Sequence, residues 1–204
     1  MAWTTPGTAV AGDVLTATRW NTDVRDNSLH LYQNTAQTIE KVTLSSTGNI
    51  SFSSIPQTYS SLRIICRVRA AAAVGATAYG VRFNGDTSVN YSQQFIQSNS
   101  STASGGANII SSIDFGVCAG SSADASNFSA GFAEIPQYST TTTGYKVLTG
   151  QGGNSATSTV ANSYHRTATG QWHSTAAITS IQLIADNPTT TFVAGSYAIL
   201  IGMP

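Results

Sequence analysis

The sequence predicts an all-β protein, a jelly-roll-like antiparallel β-sandwich with an N-terminal extended arm and helix. Three observations carry this expectation. Ser and Thr number 27 and 28 among 204 residues, against two Lys and two Glu. Thr suits the outer face of strands and Ser and Gly supply turns, whereas helical surfaces draw on Lys and Glu. After residue 41, short alternating apolar and polar runs recur between Gly-, Ser- and Asn-rich segments, the pattern of a sandwich or jelly roll. The one convincing helical periodicity lies before that point. Two segments are therefore expected, an anchor arm and helix over 1–40 and a β-sandwich over 41–204. An apolar fraction of 41% is enough to build a core.

Residues 1–12 are expected to be extended, with Pro6, Gly7 and Gly12 as breakers. The stretch LTATRWNTDVRDNSLHLYQN (15–34) predicts the helix, with Thr16 as an N-cap whose hydroxyl accepts from an orphan backbone N–H. Ala17, Trp20, Val24 and Leu31 share one stripe, and the same register adds Asn27 and Asn34. Arg19, Asp23 and Asp26 lie opposite. Of 18 charged residues in the chain, Arg19, Asp23, Arg25 and Asp26 fall within nine positions around Trp20. So narrow an apolar seam needs a partner to cover it.

In the second segment, SLRIICRVR alternates cleanly. Leu62, Ile64, Cys66 and Val68 share one face; Arg63, Ile65, Arg67 and Arg69 share the other. TAYGVRFNGD follows, with Val81 and Phe83 inward and Asn84-Gly85 as a turn signal. Eight to ten strands are expected in all. GQGGNSATS (150–158) and RTATGQ (166–171) are expected to be loops. FSSIPQTYS (52–60) and FAEIPQYST (132–140) echo each other, either as a duplicated half-domain or as a recurring strand-end phrase.

Formal net charge is zero, so no long-range field draws the chain to nucleic acid or an anionic membrane. No apolar run approaches the roughly 20 residues needed to cross a bilayer, and membrane insertion is not expected. The start lacks the basic and apolar regions of a secretory leader, so use without Sec export is expected. Cys66 and Cys118 have no metal spacing and are expected as buried thiols. GVCAG (116–120) has the spacing of a nucleophile elbow with Cys for Ser, but no helix is expected after it. Asp86 in NGDTSVN is a thin calcium ligand set and a good hairpin turn. His30, His165 and His173 have no metal-spaced partners. No enzyme activity, catalytic residue, metal or cofactor is expected. What remains is surface. Arg63, Arg67 and Arg69 form a basic stripe facing either carboxylates of a neighbouring strand or a sister subunit. Tyr59, Tyr91, Tyr138, Tyr145, Tyr164 and Trp172 supply either core aromatics or a sugar platform.

TATRWNTDVRDN (16–27) resembles the N-terminal segment of minor structural proteins of tailed bacteriophages. IPQTYSSL (55–62), RFNGDTSVNY (82–91), EIPQYSTTT (134–142), WHSTAAITSIQL (172–183) and FVAGSYAILIG (192–202) resemble the same family, in order along the chain. The resemblance implies a tail-associated, fibre or head-decorating protein, assembled in the host cytoplasm and carried on the virion, with no catalytic residues. It implies a homotrimer whose partners are other virion proteins, capsid or tail, with a host-surface glycan as a further candidate. On that reading Trp20, Val24 and Leu31 anchor the chain on the virion, and Asp23, Arg25 and Asp26 set register. Asn27, with Arg63, Arg67 and Arg69, is then a candidate subunit contact. The alternative is a carbohydrate-binding module with no virion role.

Overall fold

A computed structural model describes residues 3–8, 10–99, 102–142, 144–154, 163–186 and 190–204. The chain separates into two compact units, one ending at Gln37 and one spanning Thr38–Met203.

In the first unit, Thr16 caps the helix as its position suggests, its Oγ1 accepting from the Arg19 N–H at 3.2 Å. The helix is not uniform. α1 (Ala17–Arg19) passes into a π-helical stretch (Trp20–Asp26) and then α2 (Asn27–Gln33). The wider π turn breaks the 3.6-residue register on which the expected stripe was drawn. Asn27 consequently turns away from Trp20 and is buried, while Trp20, Val24 and Leu31 stay exposed. The arm folds back along the helix. Asn27 Oδ1 accepts from Thr4 N at 3.0 Å, and Asn27 Nδ2 donates to Thr4 O at 2.8 Å. One turn earlier, Gly7 N donates to Asp23 at 3.2 Å and Arg19 donates to Gly7 O at 2.7 Å.

The second unit is all β, in two antiparallel sheets. Its strands are β1 (Gln37–Thr43), β2 (Ile50–Phe52), β3 (Ser61–Val68), β4 (Ala76–Phe83), β5 (Tyr91–Asn99), β6 (Thr102–Ile110), β7 (Ile113–Ala119), β8 (Ser129–Pro136), β9 (Lys146–Asn154), β10 (Tyr164–Trp172), β11 (Ile181–Ala185) and β12 (Tyr197–Met203). The large sheet runs β1-β12-β3-β8-β9-β10-β5-β6 and the small one β2-β11-β4-β7. With β5, β6, β9 and β10 set aside, the orders become 1-12-3-8 and 2-11-4-7, the paired four-stranded sheets of a jelly roll. The four added strands extend the large sheet beyond β8.

Twelve strands exceed the eight to ten expected. β6 and the end of β9 are rich in Gly, Ala, Ser and Thr, and the middle of β10 is polar, so these stretches carry little apolar alternation. RTATGQ lies in β10, and residues 150–154 of the expected GQGGNSATS loop lie in β9; residues 155–158 are outside the described residues. Of the two echoing phrases, Phe52 closes β2 in the small sheet and is fully buried, whereas Phe132 lies outward on β8. Opposite environments in different sheets fit a recurring strand-end phrase and not a duplicated half-domain. The two phrases do meet, through a hydrogen bond from the Tyr138 hydroxyl to Pro56 O.

The small residues in those strands are what let the sheets close. Across the inner face of the large sheet, Cys66, Gly131, Gly152 and Arg166 form one cross-strand row. The Tyr79 side chain from β4 lies on its two glycines, and a Cβ on either would overlap its hydroxyl. Phe115 of β7 packs edge-on against the Tyr79 ring, with centroids 5.0 Å apart. A Cβ on Gly150 would sit 2.9 Å from the Phe115 Cβ. Every residue of β7 is buried as a result.

Gly152→Ala should therefore overpack this contact and cost roughly 1–3 kcal/mol. Tyr79→Phe in the same chain should recover part of the loss, because it removes the atom the new methyl meets. Chemical denaturation of the two single variants and the double variant checks this.

Candidate functional site

The outward face of the large sheet carries an open trough of about 970 Å³. One cross-strand row forms its axis: Tyr197, Arg67, Ala130, Gly153, His165 and Ser98, on β12, β3, β8, β9, β10 and β5. The depression exists because Ala130 and Gly153 fill the middle of the row while larger side chains flank it. Phe128 and Phe132 bound the β8 side, and Tyr164 stands at the start of β10. The phrases that build it, FSAGF (128–132) and GQGGN (150–154), carry the signal in plain sight. Alternate small residues on two adjacent strands, bracketed by aromatics, give one sheet a hollow face.

The basic stripe resolves into three different chemistries. Arg63 pairs with Glu134 on the neighbouring strand, its Nε donating at 2.9 Å. Arg67 lays its guanidinium on the Phe128 ring, 3.8 Å from the centroid, and among the described residues meets no hydrogen-bond acceptor. Arg69 leaves the stripe altogether, because β3 ends at Val68. It is buried and donates to three backbone carbonyls, Ser121, Ala123 and Asp124, pinning the turn that follows β7. Of the three arginines on the expected subunit face, Arg63 and Arg67 lie on the outer sheet surface and Arg69 does not.

The residues expected to grip a partner divide in the same way. Asn27, Asp23 and Arg19 serve the arm, and Arg25 pairs with Asp26 at 2.8 Å. The apolar members stay uncovered: Trp20 is 51% exposed and Leu31 56%. The stripe reading missed Leu29 and Tyr32, which are also exposed; the π turn that displaced Asn27 left no mark in the apolar spacing.

The groups weighed for catalysis or metal binding have structural uses. Cys66 and Cys118 are free and buried, and burial pushes each thiol up to about 12, which removes the thiolate that a nucleophile needs. Asp86 accepts from Ser88, from Trp172 Nε1 at 2.7 Å and from Asn90 at 3.1 Å. These hydrogen bonds, that of Ser88 first, hold its carboxyl below the usual range. N–H and O–H donors converging on the carboxylate leave it as the lock of the β4–β5 hairpin rather than a cation ligand. His173 bonds Ser92 at 2.9 Å and lies beside Tyr145. Tyr91, Tyr138 and Trp172 are core aromatics, whereas Tyr164 reaches the trough.

Sequence reasoning also missed a buried charged cluster. Asp114 on β7 lies 3.9 Å from Arg166, whose guanidinium covers the Phe95 ring at 4.0 Å and whose Nε donates to Gln97 at 3.0 Å. Burial, and next the charge of Asp186, hold the Asp114 carboxyl above its ordinary range. Gln93 accepts from Asp114 N at 2.6 Å, so a side chain of the overhanging large sheet satisfies a backbone donor on the open edge of β7. Among the described residues no three His, Cys, Asp or Glu side chains gather as a metal site, and no helix is long and apolar enough to cross a membrane.

No protein-family model matches the chain, and no curated protein matches its sequence.

The two arginines separated by one residue should behave oppositely. Arg69→Met leaves three carbonyls without their donor and should cost about 3 kcal/mol or more. Arg67→Met keeps the apolar contact with Phe128 and should stay within about 0.5 kcal/mol of the parent. Urea unfolding midpoints of the two variants measure the contrast.

Proposed function

We propose that the chain is a non-enzymatic structural protein of a bacteriophage virion, an outer appendage attached through its N-terminal segment and displaying the jelly roll for host-surface contact. The observation that carries this reading is the pairing of completed polar contacts with uncovered apolar ones in the first unit. The arm and helix satisfy each other through Asn27, Asp23 and Arg19, so the unit has a shape of its own. Yet Trp20 and Val24 on the π stretch, and Leu29, Leu31 and Tyr32 on α2, remain exposed. Exposed apolar surface concentrated on a short ordered segment marks a contact surface, and large aromatics make efficient anchors there.

The resemblance to minor structural proteins of tailed phages supports the same reading and points to a homotrimer among capsid or tail proteins. The jelly roll suits exposure outside a cell. Its surface is Ser- and Thr-rich, and its two cysteines are buried away from oxidants. A carbohydrate-binding role is the second reading, favoured by the trough on the large sheet.

Trp20→Ala should leave the β unit folded, with an unchanged unfolding transition, and abolish incorporation into particles when supplied in place of the parent chain. Wild-type copy number of the variant in purified particles would contradict the anchor.

A further inference from the structure

The geometry points to the trough as a binding site for an acidic oligosaccharide, one whose sugar carboxylate is held by Arg67. The inference deepens the host-contact part of the appendage reading by naming a ligand class, but its chemistry holds for an isolated module as well.

All nine carboxylates of the chain belong to described residues, and none of them lines the trough. Arg63, Arg67 and His165 do line it, and Glu134 already neutralises Arg63. Arg67 is left as an exposed cation with one face on Phe128 and its donors unmatched among the described residues. Lys41, whose Nζ lies 5.5 Å from the centroid of the Tyr197 ring, adds a second exposed cation at the β12 end of the trough; the other cations of the second unit are engaged. Arg69 and Arg82 bond backbone carbonyls, Arg166 bonds Gln97, and Lys146 reaches Thr140. A planar guanidinium held flat on an aromatic ring is ordered before a ligand arrives and matches a carboxylate in two-point geometry.

The rest of the lining selects the body of the ligand. β8 and β9 are paired on both sides, so their backbone N–H groups are engaged in the ladders and cannot cradle a polyphosphate. The polar side chains in the lining are instead a hydroxyl and an amide, those of Ser98 and Gln151. Tyr164 and Tyr197 add aromatic side chains to the lining from β10 and β12. From Tyr197 to Ser98 the row crosses five strand spacings, roughly 24 Å at about 4.8 Å each. That is the span of several linked sugar rings rather than one.

The test is calorimetric titration of the full chain with 3′-sialyllactose and with tetragalacturonate, each beside a neutral counterpart, lactose and maltotetraose. At least one acidic probe should bind tenfold or more tightly than its counterpart. Arg67→Met should lower that affinity at least tenfold, and Ala130→Trp, which fills the floor and keeps the charge, should do the same. Thr149→Ala, on the same face but outside the trough, should change nothing. Absence of binding by both acidic probes at millimolar concentration would overturn the assignment, as would equal binding of the neutral sugars or unchanged affinity in Arg67→Met. No particle takes part in this measurement, so its failure leaves the anchoring role of Trp20 untouched, and failure of that role leaves the trough untouched.

Discussion

The contact between Tyr79 and the glycines of β8 and β9 is the constraint on which the second unit depends. A tyrosine whose hydroxyl end reaches the opposite sheet demands that the sheet offer no side chain there, and Gly131 and Gly152 meet the demand side by side. The Tyr79 hydroxyl is then 3.8 Å from the Cys66 sulfur, both groups buried. Burial holds that phenol well above its ordinary range. Edge-on packing of Phe115 and Phe192 against the same ring extends the contact into the rest of the core. The sheets approach closely here because size is removed from one of them, and interiors tolerate neither a gap nor an overlap at such a point.

The same choice of small residues shapes the outside. β8 and β9 are thin on both faces: Gly131 and Gly152 inward, Ala130 and Gly153 outward. A strand pair stripped of side chains for the sake of the core leaves a hollow on its other surface, and the flanking Phe128, Phe132 and Tyr164 turn that hollow into a trough. Core closure and surface concavity are thus two consequences of one local composition. The scarcity of charge sharpens the result, since the Arg67 guanidinium faces a trough that no carboxylate lines.

Legibility in the sequence followed apolar contrast. β3 and β4 were readable because Leu62, Ile64, Cys66 and Val68, then Val81 and Phe83, alternate against polar neighbours, and all six are buried. Thr16 was readable as a cap because its role is local. β6, the middle of β10 and the end of β9 were not, because small and polar residues give the same weak pattern in a strand and in a loop. Their pairing is decided by partners far along the chain. The π turn was invisible for a related reason: spacings of three, four and seven look the same until one turn is widened. Arg69 was placed on the wrong face because alternation was carried one step past the end of β3. The trough was missed because its floor is defined by what is absent from two strands, and its walls come from four others.

The central claim is that closure over Gly131 and Gly152 holds the second unit together, and native-state hydrogen exchange of the amides of Gly116, Gly131 and Gly152 tests it most directly. These amides should exchange only through global unfolding, with the same denaturant dependence as the unit as a whole and the highest protection it shows. Exchange of the Gly131 and Gly152 amides through small local openings, several kcal/mol below the global value, would contradict it and move the structural centre of the fold elsewhere.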